Sequence, residues 1–181
     1  MKISSKKIKD FEILPIDQSK DSDMWNILEI RNLKEVRSQM FNQEIITSEN
    51  HQKWWSSKSK TCRSIEQLFI VRKNKSAIGM FRFWFDKKHN AGNWTMFRDI
   101  RINSSLSGIF MEYFAIEYFF CSELNKNDEL IAEVRKGNNI EKLHKKIGFI
   151  EFYNDTNWIL MKITKLRFDS FKLRFQNILA I

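Results

Sequence analysis

The chain has 181 residues, of which 31 are Lys or Arg and 22 are Asp or Glu, and its formal net charge is +9. A content of 43% hydrophobic and 14% aromatic residues is sufficient for a buried core and excludes a wholly disordered chain. Five Gly and one Pro exclude a collagen-like repeat and leave little room for a flexible linker. We therefore predict a single folded domain over residues 1–181.

Cysteine spacing and apolar runs narrow the class of protein further. Cys62 and Cys121 are far apart and have no C-x-x-C partner, so neither a disulfide scaffold nor a metal site is predicted. The first 15 residues lack the apolar run of a secretion signal. The apolar run 109–120 is too short to span a membrane and contains two glutamates. These features predict a cytoplasmic protein without a transmembrane span.

The positive charge favours anionic partners, which include nucleic acids, anionic membranes and small ligands that carry phosphates. Lysines are scattered along the chain without a nucleic-acid-binding motif, so no nucleic acid partner is expected. In the last segment, 166–181, basic and aromatic residues alternate. This pattern fits an interfacial amphipathic segment, but we predict a closing strand or helix packed on the core.

The first half of the sequence predicts a strand, two helices and three further strands. The strand covers 10–16, and a helix with Ser22 as its N-cap continues to about Met40. A shorter helix opens at Thr47. The next three strands are predicted over 68–72, 77–85 and 93–102.

The second half predicts two helices that alternate with strands. A loop of small residues over 103–108 precedes a helix over 109–124, and a strand over 130–135 follows. A helix over 140–147 ends at Gly148, and a hairpin pairs 150–153 with 158–166. The element order predicts an α/β (α+β) fold with a mixed, mostly antiparallel central sheet flanked by helices.

Two stretches resemble a known superfamily. Residues 138–149, with the sequence NNIEKLHKKIGF, resemble the asparagine, helix and Gly-Phe signature of the Gcn5-related N-acetyltransferases (GNAT). Residues 29–54, which contain EIRN, VR, MF, II, His51 and Trp54, are similar to the N-terminal region of bacterial nucleotide-linked amino-sugar N-acetyltransferases of the pseudaminic acid pathway. The resemblance extends to about Leu166 and leaves 167–181 as a C-terminal extension.

The resemblance implies an acyltransferase that moves an acetyl group from acetyl-CoA to the free amine of a nucleotide-linked deoxyamino sugar, in polysaccharide biosynthesis. An acceptor of another kind, such as a protein N-terminus or another small amine, stays open. A non-catalytic, basic binding module is a further alternative that stays open. The aromatic strand over 81–85 could pair between subunits or pack internally, so a homodimer also stays open.

Cofactor binding is expected at the loop before the helix that begins near Ile109, because a helix N-terminus attracts phosphate. An ordinary helix cap is the alternative. By family analogy the preceding strand edge pairs with the pantetheine arm, and serines substitute for the family's missing glycines. The implied cofactor-binding residues are Arg101, Ile102, Asn103, Ser104, Ser105, Ser107, Gly108, Asn138 and Asn139.

Glu133 and His144 are the predicted catalytic residues. The resemblance places Glu133 on the strand that often carries a carboxylate near the acceptor, and a partly buried carboxylate can take a proton from an ammonium group. An ion pair with Arg135 is the alternative. His144 occupies the position where the superfamily usually has a tyrosine, and its imidazole can donate a proton to the leaving thiolate. A histidine that only packs beside Leu143 is the other interpretation.

Acceptor binding is assigned to Arg31, His51, Trp54 and Trp84. A guanidinium suits a nucleotide diphosphate because it donates two parallel hydrogen bonds. A helix ion pair with Glu35, four residues later, competes with that role. The histidine, with Trp54 or Trp84, is predicted to line a ring-stacking pocket, although tryptophans also commonly fill cores.

Overall fold

The structure, a computed structural model, describes residues 6–8, 11–59, 66–102 and 105–179. The helices are α1 (Asp21–Asn32), α2 (Lys34–Arg37), α3 (Ser48–Ser59), α4 (Ser105–Phe120), α5 (Ile140–Ile147) and α6 (Lys165–Leu179). The strands are β1 (Lys6–Ile8), β2 (Phe11–Pro15), β3 (Glu66–Lys73), β4 (Ser76–Asp86), β5 (Ala91–Arg98), β6 (Glu129–Arg135), β7 (Ile150–Asn154) and β8 (Trp158–Thr164). No helix within these ranges is long and apolar enough to cross a membrane.

The strands are hydrogen-bonded in the order β1-β2-β3-β4-β5-β6-β8-β7. Strand β5 runs parallel to β6, whereas β6 and β7 are both antiparallel to β8, which lies between them. Strands β1 and β3 are likewise antiparallel to β2. The predicted fold class, a mixed and mostly antiparallel sheet with helices, is therefore confirmed.

The chain forms two compact units. The first unit comprises Met1–Phe83 and Thr95–Met111, and the second comprises Trp84–Trp94 and Glu112–Ile181. Strands β4 and β5 and helix α4 contribute residues to both. Each unit contains buried apolar residues.

The core of the first unit forms between the N-terminal helices and strands β2 to β4. Its buried residues are Leu14, Ile16, Met24, Ile27, Ile30, Val36, Trp55, Leu68, Ile70, Ala77 and Met80. Phe69, Phe81 and Phe83 are also buried and contact one another, with 5.0 Å between the ring centroids of Phe69 and Phe81. Apolar surface buried in this way is the main source of stability for such a fold.

Helix α1 departs from the sequence prediction at both ends. It begins at Asp21, and its N-cap is Lys20, whose backbone N–H donates to Asp23 Oδ2 at 2.7 Å, so the Ser22 cap is wrong. The helix ends at Asn32 because the Asn32 side chain donates to the Ile46 carbonyl at 2.8 Å and accepts from its N–H at 2.9 Å. Leu33 is extended, and α2 is a separate turn.

The core of the second unit packs aromatic residues of α4 against α6. The ring centroid of Tyr113 lies 4.9 Å from that of Phe175 and 5.5 Å from that of Phe168. Lys172 on α6 pairs with Glu117 on α4 at 2.6 Å. The basic C-terminal segment is therefore a helix packed on the core, as predicted.

A close approach requires the glycine of β5 in the second unit. A Cβ on Gly92 would lie 2.0 Å from a ring carbon of Phe119 on α4. Real Cβ atoms essentially never show such a contact, so the buried Phe119 ring can occupy this place only because position 92 lacks a side chain. Nearby on the chain, Cys121 is an exposed free thiol, whereas Cys62 lies outside the described residues.

The connection from β5 to α4 differs from the prediction. Strand β5 ends at Arg98 rather than 102, because Asp99 Oδ1 accepts the Arg101 N–H at 2.9 Å and bends the chain. Helix α4 begins at Ser105 rather than 109. Arg101 and Ile102 therefore lie in a turn and not on a strand edge.

Candidate active site

His144 of the second unit is buried against a carboxylate. The residue lies on α5 and is 3% exposed, and its Nδ1 is hydrogen-bonded to Oε1 of Glu112 on α4, which is 0% exposed. The imidazole stacks on Phe149 with 4.7 Å between ring centroids, and the indole of Trp94 lies 5.7 Å away. The imidazole is therefore held between aromatic rings and a buried acid.

Glu133 lies on β6 of the second unit and is exposed, so the expected partial burial is wrong. Its Oε1 accepts a hydrogen bond of 3.3 Å from Asn93 Nδ2, and Asn93 Oδ1 accepts the Trp94 N–H at 2.7 Å. An exposed carboxylate held by an amide can receive a proton and pass it to water.

The two asparagines before α5 have different surroundings. Asn138 Oδ1 accepts the Ile140 N–H at 3.0 Å, which caps the helix that carries His144. Asn139 is exposed, and its side chain makes no capping hydrogen bond. Gly148 ends α5 at φ 120°, and its N–H donates to the His144 carbonyl at 3.1 Å, as predicted.

In the first unit, an arginine that the sequence analysis did not select lies beside the start of α4. Arg98 Nη1 donates to the carbonyls of Asp99 and Ile102, both at 3.3 Å. A Cβ on Gly108 would lie 3.4 Å from Arg98 Nε. The guanidinium is therefore adjacent to the first turn of a helix of 16 residues.

Arg101 has carboxylate partners instead of a free guanidinium. It pairs with Asp99 at 2.8 Å and with Glu29 at 2.5 Å. The hydrogen bonds that Arg101 donates to Asp99, followed by the one that it donates to Glu29, raise the pKa of Arg101 above its ordinary value. The same Arg101 bonds lower the pKa of Asp99. Such pairs fix the turn, and they leave Arg98 as the better candidate for an added anion.

The predicted phosphate loop is described only in part. Asn103 and Ser104 lie outside the described residues. Ser105, Ser107 and Gly108 are in the first turn of α4 rather than in a loop. Their backbone N–H groups are at the helix N-terminus, where the helix dipole favours an anion.

Two arginines of the first unit lie beside the segment 42–43. Arg31 Nη2 donates to the Asn42 carbonyl, and Arg37 Nη1 donates to the Gln43 carbonyl at 2.9 Å. Within the described part of the chain, the buried atoms Arg31 Nη1 and Arg37 Nε have no hydrogen-bond acceptor. Burial, and then the charge of Arg37, lowers the pKa of Arg31. Two neighbouring cations with unused donors can accommodate an anion.

The competing ion pair of Arg31 does not form. Among the described residues the structure contains no salt bridge between Arg31 and Glu35. Helix α1 ends at Asn32, so the two residues do not lie one turn apart on a single helix.

The structure brings His51 and Trp54 together. His51 is 3% exposed, and its Nε2–H donates to the Met24 carbonyl at 2.9 Å. Its ring stacks on Trp54 with 5.6 Å between centroids and lies 5.5 Å from Trp55. Burial lowers the pKa of His51 despite the Met24 bond. Trp84 is half-buried on β4 in the second unit.

Sequence reasoning did not select Glu112, Arg98, Arg37, Asn93 or Trp94 as candidates. An acid inside an apolar helix was the available signal for Glu112, because a charge is rarely buried without a partner. The other four carried no signal of their own in the sequence. Their roles depend on contacts across the fold.

The sequence matches no family model, and no curated protein resembles it significantly. Its structure is similar to apo FdhC, a nucleotide-linked sugar GNAT, with a TM-score of 0.76 and 16% identity over 96% of this chain and 97% of that one. Campylobacter jejuni N-acetyltransferase PseH in complex with acetyl coenzyme A gives a TM-score of 0.65 and 16% identity over 86% of this chain and 99% of PseH.

A third similar structure has a different acceptor. Spermidine N-acetyltransferase from Vibrio cholerae, in complex with CoA and spermine, gives a TM-score of 0.72 and 15% identity over 89% of this chain and 99% of that one. The likenesses cover most of this chain and nearly all of each of these proteins. They show that this chain has the fold of the GNAT N-acetyltransferases.

Proposed function

We propose that the protein is an acetyl-CoA-dependent N-acetyltransferase whose acceptor is the free amine of a nucleotide-linked deoxyamino sugar. The observation that carries this proposal is the likeness to FdhC, a nucleotide-linked sugar GNAT, over 96% of this chain and 97% of that one. The arrangement of charged residues within each unit supports it.

Diphosphate binding is assigned to the first turn of α4 and to Arg98. The helix N-terminus supplies backbone N–H groups, and the guanidinium beside Gly108 supplies a positive charge. Gly108 suits this role because it adds no side chain next to the guanidinium. Ser104, Ser105 and Ser107 stay proposed cofactor-binding residues from the resemblance. Asn139, in the second unit, stays one as well and is exposed.

The acetyl group moves in one step that needs no covalent enzyme intermediate. The amine nitrogen attacks the thioester carbon, a C–N bond forms, and the C–S bond breaks. Glu133 receives the proton lost by the amine and passes it to water. The imidazolium of His144 supplies a proton to the departing thiolate sulfur, so charge and atoms balance.

Nucleotide binding is assigned to Arg31 and Arg37. The two guanidinium groups can donate to diphosphate oxygens, and an anion there would also reduce the repulsion between the two cations. His51, which stacks on Trp54, is hydrogen-bonded to Met24 of α1, the helix that carries Arg31. We expect Arg31→Ala and Arg37→Ala to raise the KM for a nucleotide sugar, whereas Lys34→Ala, which removes an exposed charge from α2, leaves it unchanged.

The acceptor can be identified with a mixed panel. Nucleotide-linked amino sugars, a polyamine and a peptide with a free N-terminus are incubated with the protein and acetyl-CoA, and the products are measured by mass spectrometry. The proposal expects one added acetyl group on a nucleotide sugar. Acetylation of the polyamine or the peptide alone would contradict the acceptor. No acetylation at all, with salt-sensitive retention on nucleic acid, would instead favour a basic binding module.

A further inference from the structure

The pair formed by Glu112 and His144 is unusual for a core. The carboxylate is 0% exposed and the imidazole side chain 4% exposed, and both lie in the second unit. Taking a carboxylate out of water costs several kcal/mol unless its oxygens gain partners. Burial of the Glu112 carboxylate therefore opposes folding unless its partners compensate for the lost hydration.

The pair is also incompletely satisfied. Within the described residues, the second oxygen of Glu112, Oε2, is buried and accepts no hydrogen bond, and the buried Trp94 Nε1 has no acceptor. Buried polar atoms without partners are rare in folded proteins. A purely structural pair would be expected to use both oxygens, so stability alone does not account for the carboxylate at position 112.

The contact fixes which nitrogen of His144 faces the acid. Only Nδ1 contacts Glu112, and an ionised carboxylate can only accept, so against ionised Glu112 the Nδ1 atom carries a proton. A proton that the ring gives away or takes up must then be on Nε2. Stacking on Phe149 and the contact with Trp94 restrict rotation of the ring, which keeps that assignment.

We propose that Glu112 is a positioning residue for the acetyl transfer, holding His144 in the orientation in which Nε2–H protonates the departing thiolate. This inference rests on the proposed function. Glu112 does not itself gain a proton: the Nε2 proton moves to sulfur, the neutral ring keeps its Nδ1 proton, and Nε2 is reprotonated from solvent. The arrangement follows the general logic by which a carboxylate orients a catalytic imidazole.

The first test compares Glu112→Gln with a matched control on the same helix, Glu117→Gln, which loses its pair with Lys172. General acids contribute about 10²–10⁴-fold to rates. We therefore expect Glu112→Gln to lower kcat by about 100-fold with little change in the KM for acetyl-CoA. Glu117→Gln should keep both constants. An unchanged kcat in Glu112→Gln would overturn the inference.

A double-mutant cycle separates positioning from general damage. If Glu112 acts through the imidazole, Glu112→Gln adds little to the loss already caused by His144→Gln. Multiplying losses in the double variant would show that Glu112 does not act through His144, and would overturn the inference.

A measurement on the unaltered protein keeps the inference testable even if Glu112→Gln fails to fold. The chain has three histidines, and ¹⁵N labelling of their rings shows which nitrogen carries the proton. We expect a protonated Nδ1 for His144, and an unprotonated Nδ1 would overturn the inference. If the unaltered protein has no acetyltransferase activity, the proposed function fails. Normal activity together with an unprotonated Nδ1 defeats only the role of Glu112.

Discussion

His51 in the first unit and His144 in the second are equally buried, at 3% exposure, but their surroundings differ. His51 donates from Nε2 to the Met24 carbonyl and lies between two indoles. His144 is hydrogen-bonded through Nδ1 to the Glu112 carboxylate. A neutral carbonyl does not compensate for the loss of hydration when an imidazolium is buried. Burial accordingly lowers the pKa of His51.

The difference shows that burial alone does not separate a supporting histidine from one that can exchange a proton. The partner does. A neutral ring that donates to a backbone carbonyl is a fixed part of a core, whereas a ring held by a carboxylate keeps its other nitrogen for proton transfer. We therefore propose that His51 supports helix α1 and that His144 takes part in the chemistry.

The largest expected effect on stability comes from breaking the Glu112–His144 pair. His144→Phe leaves the buried Glu112 carboxylate without its partner, and breaking a buried pair costs about 3–5 kcal/mol. The free energy of unfolding, measured with urea, should fall by that amount. The double variant Glu112→Leu with His144→Phe should regain most of it, because it leaves no buried charge. A double variant no more stable than His144→Phe would contradict this account.

The matching change in the first unit should cost less. His51→Phe removes one of two hydrogen bonds to the Met24 carbonyl, which lies inside α1 and also accepts a helix N–H, and one such bond contributes about 0.5–1.5 kcal/mol. Urea unfolding of His51→Phe and His144→Phe under the same conditions gives the comparison directly. A larger loss in His51→Phe would reverse the assignment of the two histidines.

An effect of similar size is expected at the cap of α5, the helix that carries His144. Asn138→Ala removes the acceptor of the Ile140 N–H, and loss of such a cap costs about 0.5–2 kcal/mol. Asn139→Ala, its exposed neighbour without a capping bond, should change the stability by less than about 0.5 kcal/mol. Equal losses in the two variants would show that Asn138 is not the cap.

The smallest effect is a dependence of stability on pH. Because the pKa of His51 is lower in the folded protein than its ordinary value of about 6.5, protonation favours the unfolded chain. The His51 contribution is thus fully present above that value and is lost as the pH falls towards the folded pKa. Thermal unfolding between pH 7.5 and 5 should show a smaller drop in Tm for His51→Gln than for the unaltered protein. Equal drops in Tm for the two proteins would contradict the lowered pKa of His51.

Local patterns predicted most of the element order, including α5 with its Gly148 cap and the packed C-terminal segment. The errors occur where a side chain of one segment ends another. Asn32 ends α1 through Ile46, 14 residues away, and Asp99 ends β5 through Arg101. No periodicity in the sequence reports such bonds.

The site was predictable only where the resemblance supplied positions. It selected His144 but not Glu112, which is 32 residues away in the chain and meets it only in the fold. It selected Arg101, whose guanidinium is engaged by two carboxylates, and not Arg98, which lies beside Gly108. Charge and spacing in the sequence do not reveal which arginine already pairs with carboxylates in the fold.

Calorimetric titration of the protein with acetyl-CoA tests the central claim most directly, because every proposed role requires that this chain hold the acetyl donor. The account predicts saturable binding of one equivalent, a rise in Tm with ligand concentration, and weaker binding by Arg98→Ala. No heat of binding and no change in Tm at about 1 mM acetyl-CoA, the upper end of ordinary Michaelis constants, would contradict it.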